Sequence, residues 1–325
     1  PGKQTYTASV IKDEEEPDPE RRYKMVYNPQ QESGPLAERF GMAASTLATA
    51  TSLDGISWTV EPEWPIDVFA ENSSLYRHNG MYYVHGQGLF HGGGEGGTEH
   101  GRQGYLWMSS DFKEWEQGWA EAFTLPEPAD PSGRGQGFSY DQVHNGIAAA
   151  NFGNVQVGLF GLWHMLEGEA PLFTLEGTSC DFSLVVSNDG MHFREPVKGH
   201  VYIHRNESPV TPVKGKCYPT ILSQSNGILN VGDETRIYHG RWRNAGFTDD
   251  YYAEVALATL PRDRWGALGL FPTEDEGWVS SAPVKLPKNG FEIVLNADHP
   301  ELIRVELTDE RFGILPGQSG ENSGV

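Results

Sequence analysis

A Ser, an Asp and an aromatic residue recur at near-constant spacing along this chain, and a recurring local unit admits few folds. The copies are Thr51-Ser52-Leu53-Asp54-Gly55-Ile56-Ser57-Trp58, Ser109-Ser110-Asp111-Phe112-Lys113-Glu114-Trp115 and Ser187-Asn188-Asp189-Gly190-Met191-His192-Phe193. A weaker copy is Leu260-Pro261-Arg262-Asp263-Arg264-Trp265. Each follows an apolar stretch of strand character, so each reads as a tight turn between two strands, with the Asp capping backbone N–H groups rather than doing chemistry.

A second pattern precedes each copy. Glu71-Asn72 leads to Met81-Tyr82-Tyr83-Val84-His85, His144-Asn145-Gly146 leads to Val155-Gln156-Val157, and Ser225-Asn226-Gly227 leads to Thr235-Arg236-Ile237-Tyr238-His239. The first copy has only a degenerate match, Thr7 to Ile11 before Arg22 to Tyr27. Each unit thus holds two paired strands, a connection, a third strand and the Asp turn with an outer strand, which is the four-stranded blade of a β-propeller. The turns lie further apart than the roughly 40–45 residues of a compact blade, so long connections are expected at 88–104, 116–140, 166–178 and 194–218. Residues 1–275 are read as the propeller. From 276 to 325 the pattern changes, with strands at 280–286, 291–295 and 302–307 and no Asp turn, and reads as the start of a β-sandwich.

The 39 Gly, 21 Pro and 37 aromatic residues (9 Trp, 13 Tyr, 15 Phe) fit many short strands and turns, and little helix is expected. A net charge of −21, from 24 basic and 45 acidic residues, sets the surface potential against nucleic acid and anionic lipid. No apolar run reaches the roughly 18 residues of a membrane span. An acidic surface suits an extracellular or periplasmic setting. Cys180 and Cys217 have no metal-site spacing, and the sequence leaves their pairing open.

The strand pairs with their Asp-Gly-x-x-Trp turns, followed by a sandwich, resemble the five-bladed β-propeller glycoside hydrolases of families 32 and 43. The resemblance implies a fifth blade beyond the four visible here, expected before residue 1. It also implies acidic residues at the starts of inner strands, pointing into an axial funnel. Thr7, Glu71, His144 and Ser225 hold that position, and only Glu71 is a carboxylate. Glu71-Asn72 aligns with the Asp-Pro of the fructan-hydrolysing branch, whereas His144-Asn145 departs from its Glu-Cys.

Glycoside hydrolysis needs two facing carboxylates. Inner-strand starts and the connections between second and third strands share one face in a propeller, which makes Glu71, Asp141 and Asp181 the candidate acids and His144 a further acid–base candidate. Asp181 has a structural alternative as a brace for backbone. The candidate sugar contacts are Asn72, His85, Gln87, Arg102, Asn145, Trp163, His164, Asn226, His239, Arg241 and Trp242, since aromatic faces stack on sugar rings while Arg and Asn fix hydroxyls. The three Asn residues and Trp242 can equally serve blade building. The expected partner is a carbohydrate and no cofactor is expected, although His91, Glu95, Glu99 and His100 could hold a structural divalent cation. Two rival functions stand beside hydrolysis: a non-catalytic carbohydrate-binding propeller, and elimination at a uronate by a polysaccharide lyase using His144.

Overall fold

A computed structural model describes residues 5–29, 47–61, 70–89, 102–118, 146–165, 178–210, 219–222, 227–243, 252–281, 283–284, 288–290 and 292–319. The chain divides into two compact parts, Pro1–Arg262 and Asp263–Val325. Among the described residues the first is all-β apart from short 3-10 turns.

Its strands follow the four sequence repeats, the first two as separate four-stranded antiparallel sheets and the last two joined by a parallel bridge into one seven-stranded sheet. The first is β1 (Thr5–Lys12), β2 (Tyr23–Pro29), β3 (Ala48–Ser52) and β4 (Thr59–Val60), in that spatial order. The second repeats it with β5 (Ala70–His78), β6 (Met81–Leu89), β7 (Arg102–Ser109) and β8 (Glu116–Gly118). Asn79 and Gly80, both at positive φ (49° and 82°), make the two-residue turn between β5 and β6, the left-handed geometry that matches the twist of a hairpin. The third contains β9 (Ala148–Asn151), β10 (Gln156–Met165) and β11 (Thr178–Ser187), with Arg194 bridging Val186 where an outer strand would run. In the fourth, β12 (Pro219–Leu222) and β13 (Ile228–Val231) pair end to end with one edge of β14 (Glu234–Arg243), and β15 (Tyr252–Pro261) covers the other.

The Asp turns form as the sequence predicts. Oδ1 of Asp54 accepts from the N–H of Ile56 and Ser57, and Ser52 Oγ donates to it while receiving the N–H of Gly55. Asp111 and Asp189 repeat this with Ser109 and Ser187. The residue after each Asp is left-handed: Gly55, Phe112 and Gly190.

Strand alternation explains the packing. In β5 and β6, Leu75, Tyr82 and Val84 face the first unit and join Val26, Leu47, Trp107 and Phe112 in one core. Tyr76 and Tyr83 face the third and join Leu106, Ile147, Phe160, Val185 and Phe193. Both faces of this sheet are covered, so its buried positions include polar residues, Ser74, His78 and His85, beside the apolar ones. Polar ties reinforce the second interface: Ser74 Oγ donates to Ile147 O at 2.7 Å, Tyr76 Oη to Gly190 O at 2.8 Å, and His78 bridges Asn188 O and Gln156 at 3.0 Å each. The first interface carries a fully buried Lys24, bonded to Glu16 at 2.6 Å and lying near the rings of Tyr82 and Phe112, which offsets the cost of burying its charge.

The second part differs from expectation. Among its described residues no extended strand forms at 280–286, 291–295 or 302–307; it holds a 3-10 turn (Pro300–Leu302) and isolated bridge residues, Val305 and the pair Thr308 to Ile314 among them. Leu268, Phe271 and Trp278 are 83%, 78% and 94% exposed.

Candidate functional site

The turns described above gather at one end of the strands. Arg21, next to the β1–β2 connection, donates to Asp111 O at 3.2 Å, and His78, at the end of β5, meets Asn188 O of the third unit's Asp turn. Hairpin ends and Asp turns therefore share one side. The opposite strand ends carry the sequence candidates.

In the second unit, register sets Glu71 opposite Gln87 and Asn72 opposite Gly86, with Gln87 facing Gly104 and Leu89 facing Arg102. Four of the proposed residues, Glu71, Asn72, Gln87 and Arg102, thus occupy one end of three adjacent strands. A β-bulge between Asn72 and Ser74 interrupts the ladder there, and such bulges re-aim side chains.

A second gathering crosses two units. Trp163 pairs with Cys180, Cys180 meets Thr220 in the parallel bridge that joins β11 to β12, and Thr220 pairs with Trp242. His164, opposite Ser179, and Arg241, opposite Ile221, flank that row. Trp242 packs against Cys180 and Leu222, and its indole lies over Gly240, where a Cβ would collide with Nε1. Arg241 bonds Glu254 across the β14–β15 ladder at 3.1 Å, and the Arg243 guanidinium sits 4.8 Å over the Tyr252 ring. These Arg side chains are held in fixed directions by their partners.

Asp181 is 1% exposed, and both its oxygens are engaged by one residue. The backbone N–H of Arg205 donates to Oδ1 at 2.7 Å and its guanidinium to Oδ2 at 2.6 Å. This fastens the 3-10 turn Arg205–Glu207 to β11, so the hydrogen bonds describe the bracing role. His204 caps the same turn in a reciprocal box with Glu207.

His239 is 4% exposed: Nδ1 lies 3.2 Å from Ile237 O and Nε2 lies 2.8 Å from Ser208 Oγ. Burial lowers its pKa, partly opposed by the Ile237 carbonyl, and the Arg241 charge lowers it further. His85 faces the interface between the second and third units rather than a ligand. It is completely buried, accepts the Ile147 N–H on Nδ1 at 3.0 Å, and is held neutral by burial, which pushes its pKa down to about 3. Alternation along β6 sets His85 on the same face as Tyr83, which explains why a residue expected to touch substrate is enclosed. Cys180 is a free, buried thiol whose pKa burial raises.

Asp141, His144, Asn145, Asn226, Cys217 and the 91–100 segment lie outside the described residues. Among the described residues no group of three or more His, Cys, Asp or Glu side chains could hold a metal ion, and no helix is long and apolar enough to cross a membrane. Sequence reasoning missed Arg205 and Ser208. Both lie in a long connection outside the repeat, where only the His204 to Glu207 spacing hints at a capped turn.

No family model matches the sequence, and no curated protein matches it. Among solved structures, a protein described as a glycoside hydrolase is 13% identical over 78% of this chain, with a TM-score of 0.41. A sucrose-6-phosphate hydrolase from Lactobacillus gasseri is 12% identical over 78% of the chain (TM-score 0.46), and a Bombyx mori GH32 β-fructofuranosidase is 10% identical over 75% (TM-score 0.42). The chain spans 65% of the first protein's length and 44% of each of the other two.

Proposed function

We propose that this chain is a glycoside hydrolase built as a β-propeller, with its saccharide bound at the strand ends opposite the Asp turns. The observation that carries this reading is the register, which gathers Glu71, Asn72, Gln87 and Arg102 at one end of the second unit. The row from Trp163 to Trp242 brings aromatic residues to the corresponding end of the third and fourth.

Sugar cleavage requires a proton donor at the leaving oxygen and a second carboxylate across the bond. Glu71 is assigned the donor role and Asp141 the facing carboxylate. Asp181 acts as a positioning residue through Arg205, because its oxygens are already taken. That engagement also favours a second reading, a carbohydrate-binding protein without catalysis.

Sugar release from a panel of plant, algal and bacterial glycans, by wild type and Glu71→Gln, separates the two. Gln keeps the size and loses the titrating group, so turnover should fall roughly 10²–10⁴-fold with an unchanged unfolding transition. Undiminished hydrolysis removes Glu71 from the mechanism. Saccharide binding without hydrolysis by either protein selects the binder.

A further inference from the structure

We propose that Ser208 and His239 form a nucleophile–base pair that hydrolyses short-chain carboxylic esters. This activity stands apart from glycoside cleavage and does not depend on it.

The geometry carries the proposal. Ser208 Oγ lies 2.8 Å from His239 Nε2, within the reach that activating a serine requires. The other ring nitrogen lies 3.2 Å from Ile237 O; a carbonyl only accepts, so Nδ1 carries the proton and Nε2 presents its lone pair to the hydroxyl. The Phe182 ring, edge-on at 5.6 Å between centroids, holds the imidazole plane from the β11 side. A nucleophile, its base and the group that orients the base are thus all present.

The two partners are 31 residues apart and come from different structures: Ser208 follows the 3-10 turn that Asp181 anchors, and His239 lies within β14. The ion pair between Arg205 and Asp181 fixes the turn, and with it the serine. Ser208 is half-buried whereas His239 is 4% exposed. A substrate therefore approaches from the serine side, over an enclosed imidazole, which favours a small acyl group.

In the reaction, Ser208 Oγ attacks the acyl carbon while its proton passes to His239 Nε2. The bond from that carbon to the alcohol oxygen then breaks, and the leaving oxygen takes the proton from the imidazolium. Water next gives a proton to Nε2 and adds to the acyl-serine. The carboxylic acid departs and the proton returns to Ser208 Oγ. No oxidant, reductant or second substrate besides water is consumed.

The test uses the full chain, p-nitrophenyl acetate as substrate and a fluorophosphonate as covalent probe, with the adduct located by peptide mass spectrometry. The expected result is an adduct on Ser208 and ester turnover that falls at least about 100-fold in Ser208→Ala and in His239→Gln. Circular dichroism should be retained in Ser208→Ala, with the melting temperature lowered only by the loss of one hydrogen bond to the buried imidazole. Should His239→Gln fail to fold, the probe adduct and Ser208→Ala decide alone. A folded wild type that takes no probe on Ser208, or ester turnover that survives Ser208→Ala, overturns the proposal.

Discussion

The Asp turns after β3, β7 and β11 and the turn after β15 start from related sequences and reach different structures. In the first three, a Ser two residues before the Asp supplies a hydroxyl that both gives and receives a hydrogen bond, and the residue after the Asp is left-handed. In the fourth, that Ser is replaced by Pro261, which has neither hydroxyl nor N–H, and the left-handed residue is Asp263 itself, at φ 60°. After the first two turns the chain returns as β4 and β8, and after the third as the Arg194 bridge. After the fourth, no outer strand follows among the described residues, and the division between the two compact parts falls at Arg262. The comparison teaches that the Asp alone does not define the turn. The Ser and a residue tolerant of positive φ complete it.

The comparison can be broken first at Phe112, the one bulky residue holding the left-handed position. A left-handed non-glycine costs about 1–2 kcal/mol, yet Phe112 is fully buried against Tyr82 and Trp115. Losing a buried Phe side chain costs about 3–5 kcal/mol, so packing outweighs strain. Phe112→Gly should lower the unfolding free energy by about 1–4 kcal/mol in a denaturant titration. A stabilised variant would show that the strain term dominates.

A smaller effect is expected at the hydroxyls. Ser187→Ala removes the acceptor of the Gly190 N–H and a donor to Asp189, which at about 1–2 kcal/mol should shift the denaturation midpoint visibly. Pro261→Ser, by contrast, should stay within about 0.5 kcal/mol, since β15 is already paired with β14 along its length. Equal effects at the two sites would dissolve the distinction between the turns.

The smallest effect is in acid. Asp54 is held below the usual carboxylate range by the Ser57 and Ile56 N–H groups, and Asp111 chiefly by that of Glu114. Partial burial pushes Asp189 upward, but the His192 and Met191 N–H groups, the His192 ring and Ser187 outweigh it, and its pKa ends well below the ordinary value. Because the folded values lie below the unfolded ones, this stabilisation is complete above about pH 4 and drains away as pH falls through the lowered values. Stability measured by urea titration between pH 2 and 5 should therefore fall less steeply in Asp189→Asn than in wild type, and Asp54→Asn should change the slope less. An unaltered slope in Asp189→Asn would remove its carboxylate from the acid response.

Much of the fold is legible in the residues themselves. The Asp turns and the order of strands in the first two units follow from neighbours in sequence, because a side chain capping its own backbone needs no distant partner. The candidate site is legible only as a set of strand ends. Glu71 and Gln87, or Trp163 and Trp242, could be expected on one side from the repeat, but whether a side chain there meets solvent or a neighbouring sheet depends on contacts far away in the chain. His85 is the instructive failure: the same alternation that marks it as a face residue leaves undecided which face is covered.

By itself, the sequence determined this protein's all-β character and the position of each complete Asp turn, since hydroxyls, carboxylates and left-handed residues two or three positions apart act on one another directly. Its acidity likewise follows from composition. Tertiary structure alone decided that Asp181 braces Arg205, that His85 is buried and neutral, and that Ser208 meets His239. Each of these joins groups far apart in sequence, and only the packing of one sheet against the next, or of a long connection against a strand, brings them within hydrogen-bond reach.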